Sequence, residues 1–339
     1  VSLPVYILRR ILLTIPLIVG VTLLTFVVSN VVPSDPVAAN LGDRAADNPE
    51  IVAAFRQKWG LDRPLPEQYL RYLGGLAQGN FGTSITSQRP VAEDLAQYLP
   101  ATVELASAAM LLALLIGLPL GVLIAAHREQ AVDRVVRVLT LVGASVPVFW
   151  LALLALLLFY ARLGWAPSPG RLDITMAPPP RLTGLYTLDA LAAGQWATLR
   201  DALWHLALPA VTLAVYQLAF VVRVTRSSMV EAISQEYVRT ARAKGLGERA
   251  VLYSHALRNA MIPTVIYVGL GFGGLLSGTV ITETVFSWPG VGRYAFRAST
   301  TLDFPAIMSV TVVIAVIYVL ANLAVDVAQV ALDPRVRAG

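Results

Sequence analysis

Gly269, Gly271 and Gly274 match G-x-G-x-x-G, the spacing of a dinucleotide-binding turn. Such a turn must follow a strand and open a helix, whereas these glycines lie inside a long apolar run. Gly269/Gly273 and Gly274/Gly278 also fit G-x-x-x-G, which lets membrane helices approach closely, so packing is the better account. A conduit role for the same glycine-lined helix, with Glu283 just beyond it, stays open. No G-x-x-x-x-G-K-[ST] occurs, so if ATP drives this chain, another polypeptide must bind it. His127, His205 and His255 are too scattered for a metal site, no nucleophile elbow is present, and there is no cysteine. The reading is of no catalyst, no cofactor and no metal held by this chain. Glu104 and Asp326 are acids near the ends of apolar segments, where pairing or snorkelling is the expected fate.

The segment Gln235 to Pro263, QEYVRTARAKGLGERAVLYSHALRNAMIP, differs in kind. It is short, basic and helix-prone, and it lies between two apolar stretches. Gln235 to Lys244 favours helix, which Gly245 and Gly247 should stop as a C-cap does. On that helix Tyr237, Ala241 and Lys244 are expected to share a face. Thr240, Ala241 and Ala243 are small enough to let it enter a groove on a partner, where Arg239, Arg242 and Lys244 can meet carboxylates around the rim. Leu246, His255, Arg258 and Asn259 complete the expected docking set, on the loop's exit and on a return helix ending at Asn259, before Pro263 starts the next span. A purely topological basic loop would leave this Ala/Gly punctuation unexplained. The segment therefore points to a membrane subunit driven by a soluble partner.

The elements that must position it follow from composition. Of 339 residues, 56% are hydrophobic and 14% charged, with a mean hydropathy of +0.66. Soluble domains carry about 25% charged residues, so the chain belongs to the membrane class. A net charge of +5 could suggest nucleic acid, but the basic residues flank apolar runs and form no patch. Six segments are long enough to cross a bilayer as helices, approximately 10–32, 102–126, 136–160, 204–224, 261–282 and 306–330. Arg9 and Arg10 precede the first, which is longer than a signal h-region of about 7–15 residues.

Lys/Arg bias sets the orientation. Arg9 and Arg10, Arg128 to Arg137, the basic residues from Arg223 to Arg258, and Arg335 and Arg337 all fall on one side of six spans. Both termini are therefore expected to be cytoplasmic. The expected division is an N-terminal span, 1–32; an acidic outer cap, 33–101; a core of five spans, 102–332; and a tail, 333–339. The core holds an outer loop, 161–203, rich in Pro and Gly and expected to be mostly irregular, and the coupling loop, 225–260. In the cap, Pro49-Glu50 should open one helix through Ile51, Ala54, Phe55 and Trp59, and Pro64 and Pro66 another through Tyr69 to Leu73.

RTARAKGL at 239–246 and ALRNAMIP at 256–263 resemble the cytoplasmic coupling loop of type I ABC importer permeases, specifically the dipeptide/oligopeptide branch. YILRRILLTIPLIVGVTLLTFVV with VPSDP, ETVFSWPGVGR at 283–293 and NLAVDVAQVALDPRVR at the end agree. The likeness spans nearly the whole chain and is weakest in 161–203. The general importer pattern is an acidic residue, Ala-Ala, three residues, Gly, nine residues and I-x-L-P. Here the triplet is Arg239-Thr240-Ala241, Gly245 keeps its place, and the proline is delayed to Pro263, departures that match the peptide branch.

The resemblance implies an all-α membrane protein with the six-helix type I importer permease (MetI-like) fold and an extracytoplasmic helical cap. It implies a bacterial cell membrane and alternating access for di- and oligopeptides. It also implies a second, similar permease, two cytoplasmic ATPases that bind ATP and Mg, and an outer solute-binding protein docking on the cap. Permeases for nickel or glutathione share this scaffold and are the nearest rivals. A secondary transporter or channel would need charges at mid-membrane, which the spans lack.

Overall fold

The computed structural model describes residues 3–31, 48–60 and 62–332. All its named elements are helices: α1 (Leu3–Val31), α2 (Pro49–Trp59), α3 (Leu65–Ala77), α4 (Val91–Ala126), α5 (Ala131–Ser145), α6 (Val148–Ala155), α7 (Tyr186–Ala192), α8 (Trp196–Ile233), α9 (Glu236–Ala243), α10 (Leu257–Gly278), α11 (Val280–Val285), α12 (Val291–Thr300) and α13 (Phe304–Leu332). A π-helical turn, Leu156–Arg162, extends α6, and another, Val251–Ala256, leads into α10. The VPSDP segment, Asp35, Asp43, Asp47 and the tail 333–339 lie outside the described residues, as do the side chains of Arg9 and Arg10.

Among the described residues, four helical stretches are long and apolar enough to cross a membrane: Val91–Ala126, Trp196–Ile233, Glu248–Leu276 and Phe304–Gln329. The apolar stretch Thr14–Val28 of α1 is shorter. The expected span 136–160 is instead a pair of helices, Ala131–Ser145 and Val148–Arg162, bent by 95°. The break falls at Val146-Pro147, where the proline ring holds Val146 extended and the helix cannot run through. Among the described residues the fold thus has four helices able to span a membrane, or five if the bent pair counts as one.

The segment 161–203 is mostly irregular, as its Pro and Gly content implied, with α7 inside it and α8 already beginning at Trp196. One further expectation changes. Pro263 does not start a new span after a break at Asn259; α10 runs from Leu257 through it. A proline there removes one N–H donor, and packing holds the rest of the helix together. α2 and α3 begin where their prolines indicated. Asn48 caps α2 by accepting from Glu50 N–H at 3.0 Å. Tyr69 of α3 donates to the Val19 carbonyl of α1 at 3.1 Å and tilts against Phe26, so α3 is clasped to α1.

The bundle centre is α4 packed along α8. Gly117 and Gly121 make this approach possible: a Cβ on Gly117 would lie 2.8 Å from Val221, and one on Gly121 2.6 Å from Thr225. A mid-bundle cluster holds Leu105, Ala109, Met110, Leu213, Leu275 and Trp288. A second cluster, at the end where α9 lies, gathers Val122, Met229, Val238, Ala241, Val251 and Ala256. A third, at the opposite end, gathers Val91, Leu95, Val291, Ala298, Ala306 and Val310.

Candidate functional site

The basic segment that follows α8 leaves it at Ser234 and turns at once into α9. Gln235 caps it in an extended conformation, with Glu236 in its first turn, where a negative charge suits the helix dipole. The helix stops at Lys244 because Gly245 takes the left-handed conformation, φ 78°. Gly245 N–H donates to Arg242 C=O at 2.9 Å, and Leu246 N–H to Ala241 C=O at 3.4 Å, the paired bonds of a Schellman stop.

Only Val238 and Ala241 of α9 are buried, three residues apart on its inward stripe. They pack against Met229, Val251, Leu252 and Ala256. Ala241 therefore does not share an outward face with Tyr237 and Lys244; it anchors the helix to its own chain. The outward set is Tyr237, Arg239, Thr240, Ala243 and Lys244, followed by Gly245 and Leu246, all exposed. Arg242 is also exposed, but it is paired with Glu248 at 2.6 Å and so ties α9 to the short helical turn Glu248–Ala250 that follows it. His255, Arg258 and Asn259 are exposed on the return, while Ala256 and Ala260 face inward. Nearby, Arg226 of α8 grips buried Asp133 of α5 with two bonds of 2.7 and 2.8 Å, fixing those helices beneath the loop.

The glycines of α10 divide by face. A Cβ on Gly269 would run into Val325 of α13, and one on Gly273 would lie 3.1 Å from Tyr318 of the same helix. Gly271 faces Gln217 of α8 instead, and Gly274 has nothing within 4 Å. Gly278 ends α10.

Glu283 lies in α11, fully buried. Its carboxylate accepts from Thr102 Oγ1 at 2.6 Å, Thr279 Oγ1 at 2.8 Å and Arg293 N–H at 2.8 Å. The last bond caps α12, whose own N-cap, Gly290, has no side chain. Thr102 Oγ1 in turn accepts from Val291 N–H, and Trp288 Nε1 donates to Ala101 C=O, each at 2.8 Å. Gly290 and Gly292 are required here, because a Cβ on the first would strike the carboxylate and on the second would lie 2.7 Å from Val280 Cα.

Sequence reasoning missed Arg171. It comes from the irregular part of 163–185 and pairs with Glu104 at 2.5 Å, both side chains buried. Its guanidinium stacks 3.6 Å from the Tyr186 ring centre, and Glu104 also accepts from Thr187 N–H and Oγ1 at 2.8 and 2.7 Å. Glu104 marked the need for a partner, but nothing in a Pro/Gly-rich loop said which arginine would fold back to it. Asp189 of α7 shapes the same loop by accepting from Thr183 N–H, Thr183 Oγ1 and Gly184 N–H. Burial pushes its carboxyl up, but these bonds outweigh burial and hold it below the usual carboxylate range.

Residues 117–338 match the binding-protein-dependent transport system inner membrane component family, and residues 4–106 match the N-terminal domain of such membrane components. The chain belongs to this family: it is an inner-membrane subunit of a transport system that works with a binding protein. It is 47% identical over 322 residues to a probable D,D-dipeptide transport system permease protein of Escherichia coli K12, covering 95% of this chain and 94% of that one. It is 43% identical over 332 residues to a di/tripeptide transport system permease protein of Pseudomonas aeruginosa, covering 98% of each. An oligopeptide transport system permease protein of Bacillus subtilis is 36% identical over 334 residues, again covering 98% of each.

Proposed function

We propose that this chain is one transmembrane subunit of an ATP-driven importer of di- and oligopeptides. The observation that carries this is α9: a polar helix, exposed on all but two residues, held at one end of a membrane bundle whose relatives are peptide permeases along their full length. Its outward residues, Tyr237, Arg239, Thr240, Ala243 and Lys244, with Gly245, Leu246, His255, Arg258 and Asn259 beside them, dock on a cytoplasmic ATPase. Two such ATPases hold ATP and Mg, and this chain holds no cofactor. A second, similar permease completes the pore. Six spans are reached if α1 and the bent pair α5–α6 each cross, with both termini cytoplasmic and α2 and α3 forming an outer cap that receives the binding protein.

In operation, closure of the ATPase pair moves α9. Because α9 is continuous in chain with α8 and leads into α10, the two helices reorient together and expose the pathway to alternate sides. The chain's contribution is conformational, and the hydrolytic chemistry belongs to the partners.

The test is uptake into vesicles carrying the whole system, with labelled dipeptides competed by longer peptides, glutathione and nickel. ATP-dependent uptake displaced by peptides is expected; displacement by nickel or glutathione alone would move the assignment to those rivals. Uptake by this chain without an ATPase would make it a secondary transporter. Gly245→Val strains a left-handed position by about 1–2 kcal/mol and should separate ATP hydrolysis from uptake. Unchanged coupling in that variant would show that α9 is not the docking helix.

A further inference from the structure

Exposed side chains on the membrane helices are mostly aliphatic, such as Leu111, Leu115 and Ile116 on α4, which suits lipid. Aromatic side chains are exposed on α6 and α13 as well, but one surface joins them to a cation. On α8, Tyr216, Phe220 and Arg223 stand at i, i+4 and i+7, and on α10 Tyr267, Gly271 and Gly274 repeat that spacing. Tyr216 is 40% exposed, and Arg223 and Gly274 are exposed too. The two rows meet: Phe220 stacks on Tyr267 at 5.6 Å and 13°, and tilts against Tyr216 at 5.0 Å. Tyr267 also donates to the buried Gln217 at 2.7 Å, which fixes its ring.

Arg223 makes this surface unlike a lipid face. Its guanidinium lies 4.6 Å from the Phe220 ring centre, so it points back along α8 toward the bundle middle. No carboxylate among the described residues forms an ion pair with it. Arg223 lies near the inner end of the span 204–224, where a guanidinium turns to water or to another polar group rather than to hydrocarbon, so this end of the row faces one of these. Beside it, a side chain at Gly274 would meet nothing within 4 Å.

We propose that Tyr216, Phe220, Arg223, Tyr267 and Gly274 are this chain's share of the translocation pathway, and that Arg223 receives the terminal carboxylate of the passing peptide. The inference rests on the peptide-importer reading. An arginine fork matches a carboxylate, which every linear peptide with a free C-terminus carries whatever its sequence. The aromatic row offers flat apolar area to side chains of varied shape without selecting one. A second permease seated on this face is the competing occupant.

The chain has no cysteine, so single cysteines report cleanly on it. Tyr216→Cys, Gly274→Cys and the aliphatic-face control Leu115→Cys would be built into the complete transporter in liposomes. Each would be treated with a water-soluble thiol reagent at rest and after trapping with ATP and vanadate. Because the thiolate reacts and needs water, the two pathway positions should label about tenfold faster than the control in at least one state. A transported dipeptide should slow that labelling. Arg223→Gln should lower uptake of a free-carboxylate peptide about tenfold, with Arg223→Lys retaining more. If both positions are as slow as Leu115→Cys in both states, the face is covered by lipid or by the partner permease and the inference fails. Labelling that peptide never slows would also overturn it. Uptake by the unsubstituted transporter separates the two readings: no peptide uptake sinks the importer, whereas uptake with an unlabelled face sinks only this surface.

Discussion

Two short helices lie at opposite ends of the bundle, and they are held in contrasting ways. α12 is fixed by polar bonds: Glu283 caps it, Trp288 ties its approach to Ala101, and Tyr294 stacks on Tyr98 at 5.0 Å while donating to buried Asp94. α9 rests on two apolar side chains, Val238 and Ala241, and one surface ion pair. Burying a valine and an alanine stabilises by roughly 2–3 kcal/mol. A partner binding at micromolar affinity, about 8 kcal/mol, outweighs that contribution. Displacing α12 instead would strand several buried donors at once. The fold thus has a welded end and a lightly held end.

The sharpest way to break this contrast is Glu283→Ala. It leaves the hydroxyls of Thr102 and Thr279 and the Arg293 N–H without their buried acceptor, at a cost of about 3–5 kcal/mol. Thermal unfolding of the purified complex should show a large drop, with Glu283→Gln intermediate. An unchanged melting temperature would mean that α12 is not welded by this carboxylate.

Next in size is overpacking beneath α9. Ala241→Leu adds three carbons to a well-filled cluster and should cost about 1–3 kcal/mol. The expected phenotype is specific: the bundle still assembles, but α9 is lifted, and ATP-driven uptake falls more than ATP hydrolysis. Equal loss of both activities would point to general instability instead.

The contrast was only half legible in the sequence. The α9 stop was readable because Gly245 is where a left-handed turn is needed, and α2 and α3 because Pro49-Glu50 and Pro64 are local start signals. The inward role of Ala241 was not, since a small residue on an eight-residue helix suits either a partner's groove or its own core. The polar weld was hidden for another reason. Glu283 meets Thr102 across 181 positions of chain and Arg171 meets Glu104 across 67. No local pattern encodes such pairings. The 95° bend at Pro147 was obscured because the flanking residues are apolar on both sides and read as one continuous span.

A milder perturbation acts through pH at the end opposite α9. Asp189 has its folded-state pKa held below the ordinary carboxylate value, so its contribution is present above about pH 4 and is lost as pH falls through the lower, folded value. Acidification below about pH 4 should therefore raise amide exchange at 182–184 more than at α9, where protonating Glu248 removes only a solvent-screened pair with Arg242. Equal loosening at both ends would remove the distinction.

Arg242→Ala should matter least. Its bond to Glu248 is short, 2.6 Å, but the two side chains are 42% and 57% exposed. Solvent screens such a pair to about 0–1 kcal/mol, and salt weakens it further. Stability should therefore hardly change. The informative reading is functional: the sequence placed Arg242 at the rim of the docking helix, where a partner's carboxylates would compete with Glu248 for it, whereas the structure gives it an internal pair. Glu248→Gln frees the arginine without removing it. If α9 is a movable docking helix, Arg242→Ala weakens ATPase attachment more than Glu248→Gln does, although both delete the same internal pair. Equal effects would mean that the pair matters only within the chain, and the rim arginine would drop out of the docking surface.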